Sequence, residues 1–247
     1  MSTNLRSQFA ARQFKPGIVG VFINPFFLAR RGLWREIEAA SPMLTGDLLD
    51  VGCGTKPYQS LFTARTYTGL EIDTPIARQR DVAEAYYDGK SFPFDDTSFD
   101  AVLCNQVIEH VFTPDEFLKE ILRVLRPQGR LLLTVPFVWD EHEQPYDYAR
   151  YSSFGLRALL ERNGFQIVRQ RKILADASLL FQMANAYLFK VTGARSILAK
   201  LVLRVFLFAP VSMLGLLASV LLPRNEDFFL DQLVVAERKA EDVGDAS

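Results

Sequence analysis

The chain has 247 residues, 49% of them apolar, which suffices for one α/β domain with a sizeable core plus a modest accessory segment. Its 28 basic and 29 acidic residues leave a net charge of −1, so bulk charge gives no reason to expect nucleic acid as a partner, and the apolar content excludes wholesale disorder. The two cysteines, Cys53 and Cys104, sit in apolar segments without zinc-ligand spacing, which excludes a disulfide scaffold and points to a reduced, cytoplasmic compartment.

Residues 1–20 are polar and basic (Arg6, Arg12, Lys15), and no apolar run there ends in a small-residue cleavage site, so no signal peptide is expected. A helix is predicted over 25–40, with Phe26, Phe27, Leu33, Trp34 and Ile37 apolar between charges, ending at Ser41-Pro42. Strands and helices then alternate. Strands are predicted at 48–51, 66–72 and 99–104. A helix follows over 114–125, opened by Pro114 and carrying Phe117, Leu118, Ile121, Leu122 and Leu125 on one face. A turn at 127–129 precedes a strand at 130–135. A helix at 154–162 stops at Asn163-Gly164, and strands at 165–169 and 232–237 complete the series. Strands separated by helices imply a mostly parallel sheet covered on both faces.

One stretch breaks this rhythm. Residues 177–225 contain no acid but carry Lys190, Arg195, Lys200, Arg204 and Arg224. Within it, 205–223 is uncharged and long enough by count to cross a bilayer. Pro210 and Gly215 interrupt it, and the strand that follows belongs with the main sheet, so a single span is not expected. Two readings stay open: helices lying in the membrane interface with their cations towards anionic lipid, or an apolar cap or dimer surface.

The sharpest motif is Asp50-Val51-Gly52-Cys53-Gly54. Glycines after a first strand let the backbone approach a ligand at the carboxyl edge of an open α/β sheet. Lys56-Pro57 stands where the third glycine of a dinucleotide loop would fall, which disfavours a pyrophosphate and favours a ligand without phosphate. Glu71, 21 residues after Asp50, sits where an acid can hydrogen-bond ribose hydroxyls, and Asp73 reads as a cap for the next helix. Asp88 could accept from an adenine amino group. Asp95 and Asp96 read as turn residues.

Five segments in order, Leu-Leu-Asp-Val-Gly-Cys-Gly (48–54), Gly-Leu-Glu-Ile-Asp (69–73), Phe-Pro-Phe-Asp-Asp-Thr-Ser-Phe-Asp (92–100), Val-Ile-Glu-His-Val (107–111) and Arg-Val-Leu-Arg-Pro-Gln-Gly (123–129), resemble the class I S-adenosylmethionine (SAM)-dependent methyltransferases. More narrowly they are similar to the bacterial group related to the ubiquinone- and menaquinone-biosynthesis methyltransferases. The departures are Gln128 for a glycine and Glu71 for the usual aspartate. The resemblance implies a Rossmann-like, doubly wound, mostly parallel seven-stranded sheet with helices on both faces, here with an apolar helical insertion before the last strand. It implies S-adenosyl-L-methionine as cofactor, with Asp50, Gly52, Cys53 and Gly54 at the methionine end, Glu71 at the ribose and Asp88 at the adenine. Asn105 and Gln106 would face the reacting centre. The organisation expected is an N-terminal extension and helix (1–40), the SAM domain (41–175), the insertion (176–226), the last strand (227–240) and a disordered tail (241–247).

A sulfonium methyl is already electrophilic, so the protein chiefly aligns a nucleophile and excludes water, and it needs a base only when the acceptor arrives protonated. Residues 136–151 mix aromatic and ionisable side chains at high density, and the run His-Glu-Gln-Pro-Tyr-Asp (142–147) resembles a group of bacterial methyltransferase-like proteins. His142 is the leading general-base candidate and His110 the second. Adjacent residues such as Asp140, Glu141 and His142 rarely converge on one ion, so no metal is expected. The reading is methyl transfer to a small, hydrophobic or lipid-linked acceptor, in the cytoplasm or peripheral on the inner face of the membrane. The anionic membrane surface would be met through residues 177–225, and no nucleic acid is expected. The alternative is a SAM-fold protein with other chemistry, such as quinone modification, or a SAM-binding module.

Overall fold

A computed structural model of the protein describes residues 17–193 and 196–239; Arg6, Arg12, Lys15, Arg195 and the 241–247 tail lie outside them. Two compact units emerge. One holds the described residues up to Ile37, Phe137–Asp140 and Lys172–Gln232; the other holds Glu38–Pro136, Glu141–Arg171 and the chain from Leu233 onwards.

The second unit is built on a seven-stranded sheet: β1 (Asp47–Val51), β2 (Thr66–Ile72), β3 (Ala85–Tyr87), β4 (Phe99–Asn105), β5 (Leu125–Pro136), β6 (Phe165–Ile173) and β7 (Asp231–Arg238), in the order β3-β2-β1-β4-β5-β7-β6. β1 pairs in parallel with β2 and β4, β2 with β3, and β4 with β5. The order reverses between β1 and β4, and such a switch point is where an open α/β sheet leaves a ligand crevice at its carboxyl edge. Leu49, Val51, Val102, Cys104, Leu131 and Leu133 cluster with Phe117, Leu118 and Ile121 of α4 (Pro114–Val124) and with Leu156, Leu159 and Leu160 of α5 (Ser153–Arg162). The alternate sheet residues Leu48, Leu103 and Leu132 are fully or almost fully buried as well, as expected of strands covered on both faces. Each such side chain is worth roughly 1.5–3 kcal/mol of burial.

Helix boundaries follow local chemistry. Pro114 opens α4, with Asp115 and Glu116 in its first turn, and Ser152 caps α5 by accepting from the Gly155 N–H at 3.1 Å. Gly164, at φ 85°, ends α5. The predicted turn at 127–129 is a bulge inside β5: the ladder jumps from Phe99–Leu125 to Ala101–Arg130. β6 continues past the predicted end at 169, because its alternation is carried by Gln, Arg and Lys. β6 is an edge strand, and charge there discourages pairing with other chains. The short α3 (Pro75–Arg80) and β3 were not predicted; six helical residues and three strand residues carry too little periodicity.

The other unit is helical: α1 (Ile18–Ile23), α2 (Phe27–Ala40, to Ile37 in this unit), α6 (Ser178–Thr192), α7 (Ile197–Leu203), a π-turn (Arg204–Phe208) and α8 (Ala209–Leu221). Val21, Phe27 and Leu28 pack with Phe181, Ala209 and Leu216. Buried amides pin the helices: Gln182 accepts from the Ala29 N–H at 3.1 Å, and Asn185 donates to Ser212 Oγ at 2.9 Å. Pro210 and Gly215 do not interrupt the apolar run. Pro210 lies in the first turn of α8, directly after the π-turn, where a missing N–H is tolerated. Gly215 lets helices approach, since a Cβ there would lie 2.8 Å from Leu28 Cδ1 and 2.9 Å from Phe181 Cβ. Leu198–Leu221 is thus one helical stretch long and apolar enough to cross a membrane, with Phe206 77% and Val220 81% exposed.

Candidate functional site

The expected cofactor residues all belong to the sheet unit: Asp50, Gly52, Cys53 and Gly54 at the end of β1, Glu71 at the end of β2, Asp88 after β3, and Asn105 and Gln106 at the end of β4. Parallel pairing sets Asp50 beside Gly69 and Leu103, and Val51 beside Leu70 and Cys104, so the glycine loop leaves β1 between the ends of its two neighbours. The Gly52 and Cys53 N–H groups donate to the Leu70 carbonyl at 2.9 and 3.2 Å. Gly52 adopts φ 69°, and a Cβ on it would meet Val107 Cγ2 at 2.4 Å, so glycine is required twice over. Gly54 adopts φ 52°, and a Cβ on it would meet nothing within 4 Å: here the backbone borders open space. The Gly54 N–H donates to Glu71 Oε2 at 2.8 Å, joining the loop to the predicted ribose acid.

Asp50 is buried and accepts from the Tyr67 hydroxyl at 2.6 Å. Burial dominates and pushes its carboxyl up to about 7, against the pull of that hydrogen bond, and the Tyr67 phenol is raised by burial in turn. Cys53 is buried, which pushes its thiol up to about 12 and leaves it no nucleophile. Lys56 pairs with Glu84 at 2.5 Å, and Glu84 also accepts from the Gly69 N–H, bracing the loop from outside. Asp88 follows β3 on the surface, where Oδ1 accepts from the Lys90 and Ser91 N–H groups at 2.9 and 3.1 Å; these bonds hold its carboxyl below the ordinary range. Asp73 is not the cap of α3. Thr74 caps it, accepting from the Ala77 N–H, while Asp73 pairs with Arg78, because the hydroxyl stands one residue nearer the first turn. Asp96 pairs with Arg123 at 2.8 Å.

At the end of β4, Thr134 of β5 organises Asn105 and Gln106. Its hydroxyl donates to Asn105 Oδ1 at 2.8 Å and accepts from the Gln106 N–H at 3.2 Å. Gln106 takes a positive φ of 56°. Thr134 belongs to no motif; its one sequence signal is a polar residue set in the apolar run from Leu131 to Val135.

The two histidines meet. Their ring centroids lie 4.7 Å apart, edge to face. His110 closes the turn Ile108–His110, and its Nδ1 donates to the Tyr146 carbonyl at 2.8 Å; burial lowers its pKa. Asp147 receives the His142 N–H at 3.0 Å and lies 3.2 Å from His142 Nδ1. Arg150 holds the Asp147 carboxyl far below the usual range. Glu109, wholly buried, lies 3.9 Å from His110 Nε2. The 136–151 segment divides: Glu141 onwards is in the sheet unit, whereas Trp139 packs its ring at a tilt against Phe26, centroids 5.8 Å apart, and Asp140 pairs with Lys190 at 2.7 Å in the helical unit. Asp140 and His142 are therefore engaged by different partners.

A methyltransferase-domain family matches residues 49–133. A "Probable S-adenosylmethionine-dependent methyltransferase" of Mycolicibacterium smegmatis is 30% identical over 209 residues, covering 79% of this chain and 77% of the relative. A fatty-acid O-methyltransferase of the same organism is 37% identical over 114 residues, and this chain spans only 41% of its length. The crystal structure of the cyclase SpnF shares the fold at a TM-score of 0.56 and 22% identity, covering 86% of this chain and 82% of that one.

Proposed function

The chain belongs to the SAM-dependent methyltransferases, and on that premise we propose that it methylates a hydrophobic, lipid-like acceptor. One observation carries the acceptor class. The stretch Leu198–Leu221 exposes large apolar side chains, and the surrounding 177–225 segment has cations but no acid. Such a surface suits an interface with anionic lipid, where each cation adds about 1 kcal/mol of attraction. Similarity to a fatty-acid O-methyltransferase agrees with that class. The protein would work peripherally, on the inner face of the membrane.

The glycine loop, with Asp50, Gly52, Cys53 and Gly54, lines the methionine end of SAM. Glu71 accepts from the ribose hydroxyls, Asp88 takes the adenine amino group, and Asn105 and Gln106 face the reacting centre. The acceptor oxygen, or another nucleophile, attacks the methyl carbon in line with the departing sulfur. The C–S bond breaks and S-adenosylhomocysteine forms. Loss of the acceptor proton is promoted at His142, with His110 beside it.

The test is incubation with methyl-labelled SAM, with and without a total lipid extract and anionic liposomes. Label in the organic phase, dependent on the extract and abolished in His142→Ala, is expected. Label confined to water-soluble products, with no binding to anionic liposomes, contradicts the lipid reading. SAM binding without formation of S-adenosylhomocysteine in any extract would indicate other chemistry on this fold.

A further inference from the structure

The whole chain has two histidines, 32 residues apart, and the fold brings both to one buried carboxylate. One ligand atom from each of Glu109, His110 and His142 lies within 4.8 Å of the other two. We propose that these three side chains form a binding site for a divalent transition-metal ion, with two imidazole nitrogens and one carboxylate oxygen as its protein ligands.

The supporting shell argues for this. The Tyr146 carbonyl can only accept, so His110 Nδ1 carries the hydrogen and the lone pair resides on Nε2, the nitrogen that faces Glu109 at 3.9 Å. His142 is oriented alike: Asp147 Oδ2 stands 3.2 Å from its Nδ1, and Asp147 is itself clamped by Arg150 at 2.6 Å and by the His142 N–H. A carboxylate or carbonyl behind each ligating imidazole is the arrangement that fixes tautomer and ring orientation in metal centres. The backbone is fixed too, because the Glu109 carbonyl accepts from the Tyr148 and Ala149 N–H groups at 2.8 and 3.3 Å. These bonds tie the His142 loop to the Ile108–His110 turn.

Charge points the same way. Glu109 has no exposure, and a dication held beside it would favour its carboxylate form. Bond lengths of about 2.0–2.2 Å set donors roughly 3–3.5 Å apart, so separations of up to 4.8 Å need a contraction of up to about 1–2 Å. An N2O donor set suits zinc, iron(II), manganese, cobalt or nickel better than magnesium or calcium. Three protein ligands leave coordination positions open for an oxygen.

The role assigned to the ion rests on the methyl-transfer reading; the site itself does not. An acceptor hydroxyl bound to the ion loses its proton to solvent more readily. Its oxygen then attacks the SAM methyl carbon, and the C–S electron pair stays on sulfur. His142 and His110 thus promote proton loss by holding the ion.

The experiment uses the untagged full chain, stripped with EDTA and titrated with Co2+ and Zn2+. One equivalent of Co2+ with a visible d–d band is expected, and at least tenfold weaker binding in both His142→Ala and Glu109→Gln. His142 is on a partly exposed loop, so its variant keeps the test open should Glu109→Gln fail to fold. S-adenosylhomocysteine affinity should not change in His142→Ala. Chelation should abolish turnover, and the ion should restore it. Absence of stoichiometric binding, or equal binding in His142→Ala, overturns the site. If turnover survives chelation yet is lost in His142→Ala, the ion's role in turnover is refuted and methyl transfer stands, with His142 as a direct base. If the ion binds but no S-adenosylhomocysteine ever forms, the site stands and the methyl-transfer reading falls.

Discussion

Asp50 shows how much one residue can bear. Its folded carboxyl titrates near 7, above the ordinary 3.8, because burial outweighs the Tyr67 hydrogen bond. The unfolded chain therefore sheds this proton about three units earlier than the folded one. The stability contributed by holding the proton is complete below the ordinary value and is lost as pH rises towards 7, on the order of a few kcal/mol. In Asp50→Asn this pH-dependent loss should vanish, which urea denaturation at pH 5 and pH 8 will show. Gly52→Ala places a methyl 2.4 Å from Val107 at φ 69°, and should cost roughly 2–4 kcal/mol and abolish SAM binding. The loop and Glu71 were legible because their spacing is local. Tyr67 was not, since only the β1–β2 register brings a residue 17 positions away onto Asp50.

Among the elements, β5 shows why function hides inside strands. Thr134 occupies a core position, yet its hydroxyl serves Asn105 and Gln106 at the site edge. Thr134→Val should cost about 1–3 kcal/mol by stranding those partners, and should weaken SAM binding, measured by calorimetry alongside melting. In α8, Gly215→Ala should destabilise by roughly 1–3 kcal/mol through the contact with Phe181, which thermal unfolding will report. Long, strongly periodic elements such as α4 were read within a residue of their ends. α3 and β3 fell below the length at which a pattern exists. Pro210 reads from sequence as a break in the apolar run 205–223 because it lacks a helical N–H; the π-turn before it absorbs that conflict, and no sequence pattern announces a π-turn.

Over the whole molecule, charge is balanced in sum and uneven in place. The net charge of −1 conceals a 177–225 segment with no acid and an exposed apolar helix. The mostly parallel sheet with helices on both faces was legible because it is written as ordered short motifs, each with its own local geometry. The meeting of His110 with His142 was not, because it depends on the path of the loop between β5 and α5 and on the backbone bonds from Tyr148 and Ala149 to Glu109. The most direct test of the account is calorimetric titration of SAM and S-adenosylhomocysteine into the purified chain and into Glu71→Ala. Saturable one-to-one binding, weakened at least tenfold in the variant while its melting is unchanged, is the result predicted. No binding to the native chain, or equal binding to both proteins, would contradict the claim that this glycine loop and Glu71 form the cofactor site.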